Sequence, residues 1–158
     1  VTMSKSLKRV QTALQDAGLS VEIRETDDSA RTAEGAAAAV GVAVDQIAKS
    51  IIFRGEASGH VVLFLTAGGN RVDPAKATAV AGQVLGKADA DLIRAETGFA
   101  IGGVAPLGHL QRIEAYLDPR LLEFETVWAA AGTPRHVFAI APADLLRVTG
   151  ATQADFTA

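Results

Sequence analysis

The chain has 158 residues, 49% of them hydrophobic and 21% charged, which predicts a single domain over residues 1–158 with a sizeable core. A net charge of −3 creates no global field toward nucleic acid or an anionic membrane, so any polynucleotide contact has to be local. The absence of cysteine excludes disulfides, thiolate metal sites and a cysteine nucleophile.

No segment approaches the roughly 18 apolar residues of a membrane span. The basic start, Val1 to Arg9, is not followed by an apolar stretch, so a soluble, cytoplasmic, unexported protein is expected. Ser4 caps a predicted amphipathic helix with Leu7, Val10, Leu14 and Ala17 on one face and Gly18 at its end. Val21 and Ile23 alternate with Glu22 and Arg24 as a short half-buried strand. Thr32 to Val40 is a helix with a very small face, stopped at Gly41, that a neighbouring backbone or a ligand can approach closely.

The next stretch, DQIAKSIIFR from Asp45 to Arg54, sets Lys49 at the entrance of an apolar strand, Ile51-Ile52-Phe53. A lysine there either snorkels at the strand edge or brings its charge to an anion or a carbonyl. Val61 to Leu65 is a second apolar run, predicted to pair with the first. Asp73-Pro74 opens a helix that stops at Gly82, and another helix spans about Ala90 to Thr97 before Gly98. Phe99 to His109 carries three glycines and a proline among apolar residues, which makes it a buried-edge loop. Strands over Ile113 to Leu117, Thr126 to Ala131 and His136 to Ala141 follow, with a helical turn at Asp118-Pro119, a hairpin tip at Gly132 to Arg135 and a last helix from Pro142 to Val148. Without a regular βαβ rhythm, the order favours a mixed sheet or barrel over a doubly wound fold.

Three places carry chemistry. Lys49 is the first. The second is Gly102-Gly103-Val104-Ala105-Pro106, whose glycines let main-chain N–H groups face a carbonyl or phosphate, or else simply bend the chain tightly. The third is the tip from Gly132 to His136, with a hydroxyl, an arginine and a histidine that suit phosphate or ribose, or solvent. His60, His109 and His136 are too scattered for a metal site, no cofactor fingerprint is present, and no nucleophile elbow or Ser-x-x-Lys pair supports covalent serine catalysis.

In their order along the chain, TAEGAAAAVGVAVDQIAKSIIFR, TGFAIGGVAPLGH and LLEFETVWAAAGTPRHVFAIAPADLLRVTGA resemble the YbaK/ProX family of aminoacyl-tRNA deacylases, relatives of the editing domain inserted in bacterial prolyl-tRNA synthetases. The resemblance implies a mixed α/β domain with a mostly antiparallel, barrel-like sheet flanked by helices. It implies a stand-alone trans-editing enzyme that hydrolyses the ester of a mischarged tRNA carrying a small amino acid, with a non-catalytic tRNA-end, amino-acid or DNA binding module as the alternative. Lys49 matches the family's essential lysine, and Gly102 and Pro106 its substrate-holding loop. The substrate-binding set adds Gly103, Thr32 and Ser50, together with Gly132, Thr133, Arg135 and His136 in a hairpin that varies between branches. The implied partners are the tRNA acceptor end and an aminoacyl-tRNA synthetase. No metal, cofactor or membrane is implied, and DNA binding is disfavoured.

Overall fold

A computed structural model describes residues 4–158. Helix α1 (Lys5–Asp16) starts where Ser4 Oγ accepts the Leu7 N–H at 3.1 Å, and it buries Leu7, Val10 and Leu14. Strand β1 (Ile23–Glu25) begins two residues later than Val21, and a 3-10 turn over Asp28–Arg31 leads into α2 (Ala33–Val40). The small face of α2 is used twice. Gly35 lies against the Ser29 carbonyl so closely that an added Cβ would come within 1.7 Å of it, while Ala33 and Ala36 face the cavity described below.

Strand β2 runs from Ile47 to Gly55, so Lys49 lies two residues inside the strand and not at its entrance. A 3-10 turn at Val44–Gln46 follows α2, and pairing with β6 recruits Ile47 and Ala48 into the sheet. Strand β3 (Val61–Ala67) is buried at every position and pairs antiparallel with β2 over Ala48 to Arg54, as the two apolar runs predict. Helix α3 (Pro74–Ala81) opens on the Asp73 cap, β4 (Leu85–Lys87) adds a short strand that the sequence does not announce, and α4 (Ala90–Thr97) ends at Gly98. After the glycine loop come β5 (Glu114–Leu117), a 3-10 turn at Pro119–Glu123, β6 (Val127–Ala130), β7 (His136–Ile140), α5 (Pro142–Thr149) and the two-residue β8 (Thr152–Gln153).

The strands form one mixed sheet in the order β1, β7, β6, β2, β3, β5, β8, with β4 beside β2. Four pairings are antiparallel and three parallel, and the sheet stays open from β1 to β8 instead of closing as a barrel. Alternation along β3 divides the core. Val61, Leu63 and Leu65 pack with α1, α4, α5 and Phe99 on one face, whereas Val62 and Phe64 pack with Ala77 and Phe156 on the other. A third cluster joins α2 to Ile47, Trp128 and Val137.

Candidate active site

The site is a break in the sheet. On one side β2 is paired with β3 along nearly its whole length. On its other side it pairs with β6 through Ile47 and Ala48 and with β4 through Phe53 to Gly55, leaving Lys49 to Ile52 without a neighbouring strand. A cavity of about 520 Å³ opens there, lined by Lys49 to Ile52, by the start of α2, by Trp128 to Ala130 and by Ile101, Gly102 and Val104 of the glycine loop. The lining is largely apolar, and among the described residues its ionisable side chains are Arg31, Lys49 and Lys87. A chain with net charge −3 thus presents a cavity whose charges are all cationic.

Lys49 is fixed from behind. Its Nζ donates to the Asn70 carbonyl at 2.7 Å, in the turn after β3. That turn is held by Asp118, which is 2% exposed: Oδ2 accepts the Ala67 N–H at 3.1 Å and the Asn70 side-chain amide at 2.9 Å, while Oδ1 caps the following 3-10 turn through the Arg120 N–H at 3.0 Å. Gly69 N–H donates to Asp45 at 2.8 Å, and Arg120 pairs with the same carboxylate at 3.1 Å, which ties the turn to the residues just before β2. Neutral Asn70 thus separates the lysine from the buried carboxylate. No carboxylate pairs with Lys49 among the described residues, and a lysine ammonium has two N–H bonds beyond the one given to Asn70.

The two adjacent glycines of the loop do different jobs. Gly102 has φ +93 with open space where a side chain would project, so it borders the cavity in a conformation that only glycine takes freely. Gly103 faces away, and a Cβ there would meet the Thr133 main chain at 2.8 Å. The loop is held at both ends by Arg9, which donates to the carbonyls of Gly98 at 2.7 Å and Gly108 at 2.8 Å and lies over the Phe99 ring. Within it, His109 Nε2 donates to the Ala105 carbonyl at 2.7 Å, and burial holds its pKa below the usual imidazole value against the opposing effect of that hydrogen bond.

Of the residues singled out in the sequence, Lys49, Ser50, Thr32 and Gly102 meet at the cavity. The Thr32 oxygen is engaged in capping α2, accepting the Gly35 N–H at 3.0 Å. Pro106 is buried outside the lining. Gly132, Thr133, Arg135 and His136 do not line the cavity either; Gly132 and Thr133 pack behind the loop, against Phe99 and Gly103. Gly132, at φ +95, packs on Ser6 and Phe99, Thr133 bonds His136 Nδ1 at 2.7 Å, Arg135 pairs with Asp28 at 3.3 Å, and His136 Nε2 lies 3.6 Å from Glu25. Sequence reasoning missed Arg31, Lys87, Asn70 and Asp118. Asp118 is legible only as the opener of a helical turn, because its second oxygen acts across 48 and 51 residues. Lys87 comes with the unannounced β4.

Among known proteins, a family model for the aminoacyl-tRNA editing domain matches residues 27–148. The uncharacterized protein YwhH of Bacillus subtilis (strain 168) is 34% identical over 140 residues, covering 89% of this chain and 88% of that protein. A crystal structure named as a candidate trans-editing enzyme for prolyl-tRNA synthetase superposes with a TM-score of 0.91 at 47% identity, over 99% of both chains. The hypothetical protein APE2540 superposes with a TM-score of 0.85 at 27% identity, over 95% of this chain and 99% of that one.

Proposed function

The chain belongs to the aminoacyl-tRNA editing domain family, and on that premise we propose that it is a trans-editing deacylase, hydrolysing the ester that joins a wrongly attached small amino acid to tRNA. The observation that carries the reading is the charge of the cavity: an apolar space of about 520 Å³, interrupting the sheet, whose ionisable groups are all cations. Such a space takes an aminoacylated nucleoside and favours the phosphates that follow it. Among the described residues no carboxylate lines the cavity to repel them.

The chemistry asks little of the protein. An aminoacyl ester is already activated, so the site has to hold the carbonyl, admit water to it and stabilise the oxyanion of the tetrahedral intermediate. Water adds to the carbonyl carbon, the intermediate collapses, and the ribose oxygen leaves with a proton as the tRNA hydroxyl. Lys49, held against Asn70 with an uncancelled charge, is the group assigned to the oxyanion or to the terminal phosphate. Gly102 leaves the cavity mouth open at the loop. A protein nucleophile is not required.

The test is a panel of mischarged tRNAs, scored for amino acid released by the wild-type protein, by Lys49→Ala and by Lys49→Arg. Lys49→Ala is expected to fold, at a cost of about 1–2 kcal/mol for the lost Asn70 hydrogen bond. It is expected to lose roughly a hundredfold in single-turnover rate, as electrostatic groups of this kind do. Arginine restores little, since a wide planar fork replaces a compact head beneath one carbonyl. Release from none of the tRNAs by the wild-type protein points instead to the binding module. A folded Lys49→Ala that works at the wild-type rate removes the lysine from the mechanism.

A further inference from the structure

The break in the sheet leaves main-chain hydrogen-bonding groups exposed to the cavity, and their identity follows from the pairing on the other side of β2. The Asp118 N–H donates to the Leu65 carbonyl at 2.9 Å, so the main-chain groups of Leu65 point toward β5 and away from β2. Leu65 stands opposite Ser50, which makes this a non-hydrogen-bonded pair. Both the N–H and the C=O of Ser50 therefore point away from β3, into the break. The Gly55 N–H to His60 carbonyl bond at 2.9 Å agrees with that phase, because Gly55 and Ser50 differ by an odd number of positions. The β6 ladder has stopped at Ala48, and the β4 ladder starts only at Phe53. Ser50 also carries the one buried side-chain polar atom among the described residues that finds no hydrogen-bond partner, its Oγ. Alanine would fill nearly the same space without leaving an unpaired hydroxyl.

One donor and one acceptor on the same residue of an open strand edge are what another strand residue requires. An aminoacyl group is the backbone of a single residue, with an amine at one end and a carbonyl at the other. We propose that the break binds the aminoacyl group as a one-residue strand: its α-amino group donates to the Ser50 carbonyl, and its ester carbonyl accepts from the Ser50 N–H, the two-way exchange of an antiparallel hydrogen-bonded pair. The Ser50 hydroxyl, turned by one staggered step about χ1, is a second acceptor for the ammonium. With no Asp or Glu on the cavity wall among the described residues, an ammonium there depends on such neutral acceptors. This places the ester carbonyl beside Lys49 on the same strand. The inference rests on the editing reading and deepens it, naming Ser50 as the residue that recognises the α-amino group of the substrate.

The probes are 3′-alanylamido-3′-deoxyadenosine, in which a stable amide stands for the ester, and its propionyl counterpart, which lacks only the amine. Calorimetric titration of the wild-type protein is expected to show the alanyl compound binding at least about tenfold tighter. Ser50→Ala narrows that ratio by about threefold. In an amide-resolved NMR titration, the Ser50 N–H shifts and becomes protected from exchange when the alanyl compound is added. Equal binding of the two compounds, or an unmoved Ser50 amide at saturation, overturns the proposal. The outcome is separable from that of the tRNA panel. Amine-dependent binding without release from any mischarged tRNA keeps the strand pairing and removes the hydrolase, whereas release with amine-independent binding does the reverse.

Discussion

Asp118→Asn changes one atom in a buried side chain and is expected to act on stability and rate together. The carboxylate accepts three hydrogen bonds, two at Oδ2 from Ala67 N–H and Asn70 Nδ2 and one at Oδ1 from Arg120 N–H. An asparagine has one acceptor oxygen. If that oxygen serves Ala67 and Asn70, the new NH₂ confronts the Arg120 N–H; if it turns to Arg120, the NH₂ confronts two donors. In the better arrangement one charge-assisted bond is lost, the other two become neutral, and two donors face each other in a site that is 2% exposed. With hydrogen bonds to charged groups contributing about 1.5–3 kcal/mol each, the cost is about 2–4 kcal/mol. The rate falls because the weakened bond is the one that orients Asn70, whose carbonyl holds Lys49 at 2.7 Å. Freedom of the ammonium worth about 1.4 kcal/mol is a tenfold loss. Urea unfolding reads the first quantity. The second is read by single-turnover release from the best mischarged tRNA, at a temperature where the variant remains folded. A variant as stable and as fast as the wild type refutes the relay from Asp118 through Asn70 to Lys49.

The two loop glycines are expected to separate. Gly103→Ala drives a Cβ to 2.8 Å from the Thr133 main chain and destabilises by about 1–3 kcal/mol, whereas Gly102→Val meets no neighbour, costs about 1–2 kcal/mol for its positive φ, and lowers turnover by reaching over the cavity mouth, all readable from melting curves and rates. Arg31 and Lys87 line the cavity and have no hydrogen-bond or ion-pair partner among the described residues, so they are assigned to phosphates of the acceptor end. Replacing both with glutamine is expected to reduce the slope of log affinity against log salt by about 1.4, from roughly 0.7 per contact to single-stranded nucleic acid, in filter binding at several salt concentrations. His109 has its pKa lowered by burial, so the unfolded chain binds its proton more readily than the folded one. Its stabilising contribution is therefore complete above the unfolded value near 6.5 and lost as pH falls below it, and His109→Gln, which keeps an N–H donor for the Ala105 carbonyl, flattens the fall in melting temperature between pH 7.5 and 5.5.

Much of this protein is written locally. The caps at Ser4, Thr32 and Asp73 and the stops at Gly41, Gly82, Gly98 and Gly150 bound each of the five helices on one side or both, because a side-chain oxygen or a left-handed glycine acts within one turn of the chain. The apolar runs of β2 and β3 announce their own pairing, and Lys49 stands out because an ammonium in an apolar strand needs a partner. The nature of that partner was not legible, since the Asn70 carbonyl lies in a turn 21 residues away and is oriented by an aspartate a further 48 residues along. Nor could composition tell Gly102 from Gly103, which differ only in what stands beside each: open space in one case and the Thr133 main chain in the other. The hairpin from Gly132 to His136 has residues suited to phosphate, yet packing turns its start onto the back of the loop, while Arg135 pairs with Asp28 and the His136 ring lies 3.6 Å from Glu25. The break in the sheet is the most distant from any local signal. It exists because β6 leaves β2 after Ala48 and β4 joins only at Phe53, a spacing set by three strands far apart in sequence, and it turns an ordinary stretch of strand into the floor of a site.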